Sequence, residues 1–266
     1  MLLRTGYVSP ATVLATALER VTLIDAARAR DALLQQLLAA AENNTVIVDF
    51  LNQHACNLIA RDENFCENVL RCDWLLRDGI GAKLALIALG RAGGLNMNGT
   101  DFIPKLIDAF TARHATIASG ADTAMIFFGT REPWLQAGAR KLAGAYNGPI
   151  VVRDGFQADA DYLAVLQPYV NHAKLIVLAM GMPRQEAVAQ FLKDAQIGPA
   201  LIVCGGAIID FAAGRVARAP RWMQRVGLEW LYRLAREPRR MFARYVIGIP
   251  IFLIAVLRAL RRQKKT

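Results

Sequence analysis

The feature that most constrains the fold is the alternation of short, nearly continuous apolar runs with longer amphipathic segments through most of the chain. Thr45–Leu51 (TVIVDFL) and Ala200–Cys204 (ALIVC) are examples of these runs. Such runs are typical of strands that are buried on both faces, as in parallel sheets. The alternation therefore predicts an α/β fold whose mostly parallel sheet carries helices on both faces.

The same pattern sets the boundaries of the elements and predicts a Rossmann-like sheet. The predicted strands cover residues 18–23, 45–51, 74–77, 123–128, 149–153, 174–180 and 200–204. The predicted helices cover residues 25–41, 52–71, 80–89, 131–144, 159–171 and 183–196, with one more after Gly99-Thr100-Asp101. Asp25 is the predicted N-cap of the first helix. Ligands of such sheets bind at the carboxyl ends of the strands, so we expect the site in the loops there.

Positive charge is concentrated at the C-terminal end. The chain has a formal net charge of +10, and the segment from Arg215 onward holds 14 Lys and Arg against Glu229 and Glu237. We predict an α/β body over residues 1–214 and a helical basic appendage over residues 215–266. A cationic appendage suits a polyanionic partner, which could be a membrane surface, a nucleic acid or a diphosphate.

The appendage combines arginines with tryptophans at helical spacing. Pro220 and Pro238 mark two predicted helix starts. One helix face would carry an apolar stripe formed by Trp222, Val226, Trp230 and Leu234. An amphipathic helix of this kind suits a lipid headgroup layer, and packing of the stripe in a core is the alternative. The residues assigned to membrane contact are Trp222, Trp230, Arg239, Arg240, Arg244 and Phe252.

The apolar run Val246–Leu257 has 12 residues and includes Gly248 and Pro250. As a helix it would reach about 18 Å, against about 30 Å of hydrocarbon in a bilayer. We therefore expect it to be buried at the membrane interface rather than to cross the membrane. The N-terminus lacks the ordered regions of a signal peptide, so we expect a peripheral protein on the cytoplasmic side.

Two strand ends carry residues suited to ligand chemistry. Asp78 is followed by glycines and suits a general base beside a ligand, or alternatively a cap of the next helix. Gln185 and Glu186 lie in the first turn of a predicted helix, whose backbone N–H groups suit an anion or a sugar hydroxyl. Glu186 at that position also complements the helix macrodipole, which is the purely structural alternative.

A third strand end carries the pair Gly205-Gly206. Paired glycines admit a diphosphate against the backbone, and they are also ordinary turn residues. The sequence has neither GxGxxG nor GxxxxGKS/T, the fingerprints of nicotinamide enzymes and P-loop NTPases. Its three histidines are scattered and its four cysteines lack CxxC spacing, so we predict reduced cysteines, no metal site and no cofactor.

Taken in order, these segments resemble the WecG/TagA/CpsF family of bacterial glycosyltransferases over about residues 18–257. The most specific matches are Asp210-Phe211-Ala212-Ala213-Gly214, Arg218-Ala219-Pro220, Trp222-Met223, Gly227–Leu234, Glu237-Pro238-Arg239 and Arg244-Tyr245. Supporting matches are Asn52, Asp78–Gly81, Gly99-Thr100-Asp101 and Gly181–Glu186.

The resemblance implies a hexosyltransferase that moves a sugar from a UDP-sugar, with inversion and without a metal, to a polyprenyl-diphosphate-linked sugar. Such a reaction serves bacterial surface polysaccharide or exopolysaccharide assembly. By that analogy Asp78 is the general base that deprotonates the acceptor hydroxyl, and the arginines of the appendage face the donor diphosphate. The expected substrate contacts are Asn52, Asp101, Gln185, Glu186, Gly205, Gly206, Arg215, Arg218, Arg221 and Arg225.

Two positions depart from the family pattern. Phe50 stands where the family often has Thr, and Asn96 stands where it often has Arg. Both positions suit contact with the donor sugar, so N-acetylmannosamine and glucose both remain open as donors. The expected partners are the two substrates and the anionic inner-membrane surface, and a homo-oligomer remains open. The alternative is a nucleic-acid-binding protein with a basic tail. Two features argue against it: the Trp and Leu residues among the arginines, and the apolar run Val246–Leu257. We therefore expect no nucleic-acid partner.

Overall fold

The computed structural model describes residues 10–115 and 122–263, and its sheet has seven strands. The strands are β1 (Val21–Thr22), β2 (Thr45–Leu51), β3 (Trp74–Arg77), β4 (Thr123–Gly129), β5 (Ile150–Asp154), β6 (Ala173–Leu178) and β7 (Ala200–Cys204). They lie in the order β1-β3-β2-β7-β6-β4-β5, and each neighbouring pair is parallel. The predicted parallel α/β sheet is confirmed.

Helices cover the sheet and form the appendage. In the body they are α1 (Pro10–Glu19), α2 (Ala27–Ala40), α3 (Gln53–Ile59), α4 (Glu63–Leu70), α5 (Gly79–Ala88), α6 (Gly99–Ala115), α7 (Trp134–Ala143), α8 (Asp159–Leu166), α9 (Arg184–Asp194) and α10 (Ile208–Ala213). In the appendage they are α11 (Arg221–Arg225), α12 (Glu229–Arg236), α13 (Pro238–Phe242) and α14 (Gly248–Gln263). A 3₁₀ turn, Gln167–Tyr169, follows α8, and a π-helical segment, Ala243–Ile247, joins α13 to α14.

The core forms two layers because side chains alternate along each strand. On one face of the sheet a row of isoleucines crosses the three central strands β2, β7 and β6: Ile47, Ile202 and Ile176. On the other face the next row consists of Val48, Val203 and Val177. All six side chains are at most 1% exposed, which fixes the register of the strands whose ends carry the site.

The predicted bounds of the second, third and seventh strands are confirmed as β2, β3 and β7. The prediction at the N-terminal end is wrong, because α1 extends to Glu19 and leaves only Val21–Thr22 as strand. The predicted cap is also wrong: Ala26 occupies the N-cap of α2, and no side chain caps it. The predicted helix over residues 52–71 is two helices, because Asp62 accepts from the backbone nitrogen of Phe65 and starts α4.

The appendage differs from its prediction in two ways. The stripe that begins at Trp222 does not lie on one helix, since Gly227 has φ +76° and separates α11 from α12. The apolar run is part of a continuous helix from Pro238 to Arg262, which has 25 residues and is long and apolar enough to cross a membrane by length and composition. The argument that this segment is too short to cross is therefore wrong. The last three residues of the predicted basic appendage lie outside the described ranges.

Helix α14 packs one face against α1 and α3 of the body. Phe252, Val256 and Ala259 on that face are at most 7% exposed. Asn57 in α3 donates from Nδ2 to the carbonyl of Gly248 at 2.7 Å. The opposite face stays open to solvent and consists of Ile251, Leu253, Ile254 and Leu257, each 46% exposed or more.

Candidate active site

A polar cavity of about 330 Å³ opens at the carboxyl ends of the central strands. The segments that follow β2, β3, β6 and β7 all contribute to its wall, with residues that include Asn52, Asp78, Gly181 and Gly206. Helix α10 and the appendage form the other side. The site therefore lies where ligands of such sheets bind, and both parts of the chain build it.

Asp78 occupies the N-cap position of α5, but its side chain makes no capping hydrogen bond. Asn52 caps α3 instead, because its Oδ1 accepts from the backbone nitrogens of His54 and Ala55 at 2.9 and 3.0 Å. This fixes the Asn52 amide, and its Nδ2 lies 3.4 Å from Asp78 Oδ2, at the long end for a hydrogen bond. The Asp78 carboxyl thus faces the cavity with one weak amide partner.

Burial raises the pKa of the Asp78 carboxyl above its ordinary value. The Asn52 amide and the cations Arg244, Arg77 and Arg233 oppose this effect. A partly desolvated carboxylate is a stronger base than one in water. Asp78 therefore has the environment of a proton acceptor.

His54 also lies in the cavity wall, and sequence analysis gave it no role. Burial lowers the pKa of its imidazole to about 4, and the nearby cations Arg244 and Arg61 add to this effect. The imidazole is therefore neutral near pH 7 and a weaker base than an ordinary histidine. Burial therefore affects the two side chains in opposite directions, lowering the pKa of His54 and raising the pKa of Asp78.

Arg77 and Asn96 hold the backbone around Asp78. Arg77 is buried and donates to three backbone carbonyls within residues 79–95. Asn96 Oδ1 accepts from the nitrogen of Gly79 at 2.8 Å, where Gly79 has φ +79°. Asn96 therefore supports this turn through its amide, at a position where the family often has Arg.

Phe50, the other departure from the family pattern, is 3% exposed and contributes to the cavity wall. Its ring packs edge to face on Phe102, with centroids 6.2 Å apart. Phe50 has no hydroxyl that could bind a sugar, so polar contacts on this side of the cavity must come from neighbouring residues.

Gln185 links two loops of the cavity floor. Its Oε1 accepts from the backbone nitrogens of Gly181 and Gly206, at 3.2 and 3.0 Å. Its Nε2 donates to Glu186 Oε1 at 2.8 Å. Of the predicted substrate contacts, Gln185 and the Gly205-Gly206 pair line the cavity. Glu186 is 2% exposed and lies beneath the floor, outside the wall.

Three arginines of the appendage enter the cavity wall: Arg233, Arg240 and Arg244. Sequence analysis gave Arg233 no role and assigned Arg240 and Arg244 to the membrane. Arg233 and Arg244 lie within the motifs that carry the resemblance, and Arg240 directly follows one of them, so the resemblance was the signal that could have identified them. The sequence alone did not predict the helix orientation that places these side chains in the same cavity as Asp78.

The arginines predicted to reach the donor diphosphate lie elsewhere. Arg218 donates to both oxygens of Asp101 at 2.5 and 3.2 Å, so these two predicted substrate contacts pair with each other across the body and the appendage. Arg215 donates to Asp210 at 3.2 Å and to Thr130. The remaining two, Arg221 and Arg225, are exposed and lie outside the walls of both cavities.

A second, more apolar cavity of about 330 Å³ adjoins the first. We refer to it as the apolar groove. Its apolar walls come from α5, α10 and the appendage, and they consist of Ile80, Leu84, Phe211, Trp230, Tyr245, Ile249, Phe252 and Leu253. The residues that it shares with the polar cavity are Asn52, His54, Asp78, Thr100, Phe211, Arg233 and Arg244. Asp78 therefore lies at the junction of a cationic cavity and an apolar groove.

The residues predicted to contact a membrane have different environments. Trp222 is 63% exposed, and Arg239 is exposed as well. Trp230 is half-buried and packs edge to face on Tyr245, with centroids 5.9 Å apart. Phe252 is buried on the inner face of α14, so it cannot contact the bilayer while that helix is packed on the body.

The four cysteines are free and buried. The sequence also contains an Asp-x-Asp spacing at residues 159–161, a pattern that binds metal-nucleotide complexes in some glycosyltransferases. Here Asp159 pairs with Arg184 at 2.6 Å, and Asp161 accepts from the backbone nitrogen of Ala158 at the start of α8. Neither carboxylate lines the cavity.

Comparison with known proteins agrees with this geometry. The model of the glycosyl transferase WecG/TagA/CpsF family matches residues 18–266. An N-acetylglucosaminyldiphosphoundecaprenol N-acetyl-beta-D-mannosaminyltransferase of Bacillus subtilis is 23% identical over 223 residues, which cover 83% of this chain and 82% of the relative. A protein of the same description from Bacillus spizizenii is 27% identical over 200 residues, covering 73% of this chain and 71% of the relative.

Proposed function

The chain belongs to the WecG/TagA/CpsF family of glycosyltransferases, and on that premise we propose that it transfers a sugar from a UDP-sugar to a polyprenyl-diphosphate-linked acceptor. The proposed acceptor sugar is N-acetylglucosamine, as in the names of the two Bacillus relatives. The proposed donor is UDP-N-acetylmannosamine or UDP-glucose. The transfer inverts the anomeric centre and needs no metal.

One observation carries this proposal: Asp78 lies where the cationic cavity meets the apolar groove. A UDP-sugar has a dianionic diphosphate and suits the cavity that contains Arg233, Arg240 and Arg244. A polyprenyl chain is apolar and suits the groove. A carboxylate between the two is well placed to act on an acceptor hydroxyl that meets a donor sugar.

The proposed step is a single displacement. Asp78 removes the proton from the acceptor hydroxyl while that oxygen bonds to the anomeric carbon of the donor. The bond from that carbon to the β-phosphate oxygen breaks, and UDP departs with the electron pair. Attack on the face opposite the leaving group inverts the configuration.

The arginines of the appendage would stabilise the departing UDP. Charge on the β-phosphate grows as the glycosidic bond breaks, so fixed cations near it stabilise the transition state more than the ground state. Arg240 and Arg244 reach this cavity from α13 and the π-helical segment, and Arg233 reaches it from α12. Protein cations would then do what a divalent metal does in other glycosyltransferases.

We propose that the apolar groove holds the first isoprene units of the acceptor lipid. Leu84 on α5 and Leu253 on α14 lie at its wall and are both at least 50% exposed. Beyond them the outward face of α14 continues as an apolar surface, so a chain leaving the groove could enter lipid without crossing water. This arrangement would bring the acceptor sugar to Asp78.

Membrane docking through α14 follows from the same geometry. The helical run Pro238–Arg262 is long enough to span about 37 Å, but one face is packed on α1 and α3. Crossing a membrane would strip that face from the body, whereas lying in the interface buries only the face that is already exposed. We propose peripheral docking on the cytoplasmic face of the membrane, with Lys and Arg of the appendage near anionic headgroups.

The appendage, residues 215–266, would complete the active site as well as bind the membrane. Both cavities take residues from the body and from the appendage. The body over residues 1–214 would hold Asp78 but lack the cations of the polar cavity. The two parts would therefore function only together.

A screen of UDP-sugars against a short-chain polyprenyl-diphosphate N-acetylglucosamine tests the proposal. We expect one UDP-sugar to release UDP in the presence of the acceptor, with or without EDTA, and the product mass to show one added sugar. Release that requires a divalent metal would contradict the metal-independent step. An absence of transfer from every UDP-sugar would contradict the proposed donor class.

A further inference from the structure

A buried acidic cluster lies directly beneath the cavity floor. It consists of Asp49 in β2, Glu186 in the first turn of α9 and Cys204 at the end of β7, each at most 3% exposed. One side-chain ligand atom from each of the three lies within 4.8 Å of the others. Two carboxyl groups are therefore close together inside the protein core.

The surroundings of these carboxyls contain hydrogen-bond donors but no cation. Asp49 Oδ1 accepts from the backbone nitrogen of Phe50 at 2.8 Å, and Glu186 Oε1 accepts from Gln185 Nε2 at 2.8 Å. Glu186 Oε2 is buried and has no hydrogen-bond partner. Within residues 10–115 and 122–263, no ion pair involves Asp49 or Glu186.

Two carboxylates a few ångströms apart in such surroundings cannot both be ionised at neutral pH. Burial raises the pKa of Asp49 to about 6. Burial, and then the charge of Asp49, raise the pKa of Glu186 well above its ordinary value. The other titratable groups that face the pair are the thiols of Cys72 and Cys204, and burial raises the pKa of both, so they stay neutral.

Glu186 also determines how Gln185 is oriented. Two backbone N–H groups, from Gly181 and Gly206, occupy the Gln185 oxygen. The Gln185 nitrogen must then point away from these loops, and it meets Glu186 Oε1. Gly181 and Gly206 have φ values of +82° and +59°, so the loops hold a left-handed conformation that this one side chain ties together.

We propose that Asp49 and Glu186 share one proton and act together as a positioning pair, which holds Gln185 and thereby the two glycine loops of the cavity floor. Glu186 Oε2, which is buried and has no hydrogen-bond partner, is the oxygen on which we place this proton. The role for catalysis rests on the proposed function, because these loops would face the donor. Neither carboxyl touches substrate, so both act through Gln185.

Loss of the shared proton at alkaline pH would place two negative charges in the core. Repulsion would then move Glu186, release Gln185 and loosen the floor of the cavity. We expect the KM for the UDP-sugar to rise at alkaline pH while kcat changes less. The base Asp78 is held separately, by its contact with Asn52 and by the hydrogen bonds of its chain neighbours Arg77 and Gly79.

Glu186→Gln tests this proposal, because its amide keeps an oxygen for Gln185 and offers an N–H to Asp49 without needing a shared proton. We expect this variant to keep near wild-type activity at neutral pH and to lose the alkaline rise in KM. Glu186→Ala removes the acceptor of Gln185, and we expect its KM for the donor to rise about tenfold. Glu67→Gln, which removes an exposed carboxyl, is the matched control and should behave as wild type.

An alkaline rise in KM that is equal in Glu186→Gln and wild type would overturn the proposal. A direct measurement covers the case in which a variant fails to fold or no sugar is transferred. The infrared carbonyl band of a protonated carboxyl group should be present in deuterium-exchanged wild-type protein and reduced in Asp49→Asn/Glu186→Gln. An equal band in the two proteins would contradict the shared proton. A stoichiometric metal, measured in the purified protein by plasma mass spectrometry, would also contradict it. Both results are independent of the proposed function.

Discussion

Asn52 directs its side-chain nitrogen at Asp78, with Nδ2 lying 3.4 Å from Asp78 Oδ2. The orientation is imposed by α3, whose first backbone N–H groups bind the Asn52 oxygen. An aspartate at position 52 would cap the helix equally well but would set a carboxylate against Asp78. The amide therefore combines a helix cap with a partner for the candidate base, and this explains why Asn suits the position.

Asp78→Asn should abolish sugar transfer while leaving the fold intact. The variant keeps the size of the side chain but removes the proton acceptor, and loss of a general base typically lowers the rate about 10²–10⁴-fold. UDP release with donor and acceptor measures the effect. Donor binding should persist, because the arginines of the appendage remain, and it can be followed by titration calorimetry. Full turnover in this variant would remove Asp78 from the mechanism.

The pH dependence of transfer should have an acid limb above the ordinary range of an aspartate. The base must be deprotonated, and burial raises the pKa of Asp78, so kcat/KM should rise with pH through that raised pKa. Arg244 lowers the pKa of Asp78, and Arg244→Gln should therefore shift the limb to higher pH. The pH–rate profiles of the two proteins provide the comparison. A shift of the limb to lower pH would contradict this electrostatic assignment.

Arg240 and Arg239 are adjacent in α13 and both exposed, but only Arg240 lies in the wall of the polar cavity. Arg240→Ala should therefore lower kcat/KM for the UDP-sugar by about tenfold or more, as expected for loss of a charged hydrogen bond to phosphate. Arg239→Ala changes net charge by the same amount and is the matched control. Equal effects of the two substitutions would indicate a general charge effect on membrane or donor binding.

Much of the body followed from the sequence because buried parallel strands leave a strong local pattern. β2, β3 and β7 are mostly apolar runs, interrupted by Asp49 in β2 and ended by Arg77 in β3. Each is followed by a polar or glycine residue, so the strand ends could be predicted directly. The same pattern predicted that Asp78 and Gln185 lie at one edge of the sheet, since residues that follow parallel strands share that edge, and both line the polar cavity. Local pattern was sufficient wherever burial alone sets the structure.

The structure of the appendage was predicted less accurately from the sequence, because it depends on contacts with the body. Gly227 breaks the helix on which an apolar stripe was predicted, and the chain turns there with φ +76°. Phe252 was assigned to lipid but packs in the core, since burial against α1 and α3 is a tertiary contact. The choice between Arg218, which pairs with Asp101, and Arg240, which enters the cavity, likewise depends on helix orientation that spacing alone does not specify.

The Arg218–Asp101 pair should couple the appendage to the body. The pair is bidentate, but the Asp101 side chain is 54% exposed, so solvent weakens the interaction. A double-mutant cycle of Arg218→Ala and Asp101→Ala should therefore give a coupling of about 0.5–1 kcal/mol in the free energy of unfolding. Because the pair does not line the cavity, Asp101→Asn should alter kcat/KM by only a few-fold. A loss comparable to that of Asp78→Asn would instead show that Asp101 contacts substrate directly.

Leu257→Glu should separate membrane binding from chemistry. Leu257 is 54% exposed on the outward face of α14. Burial of such a side chain in lipid contributes about 1.5–3 kcal/mol to the free energy of membrane binding. A carboxylate at this position should therefore lower liposome binding about tenfold or more. Val170→Glu adds the same charge to an exposed site on the body and should leave flotation with anionic liposomes unchanged. Transfer to a water-soluble short-chain acceptor should be preserved in both variants, because Leu257 lies outside both cavities. Liposome binding by Leu257→Glu equal to wild type would mean that another surface, such as the exposed Trp222, carries the docking.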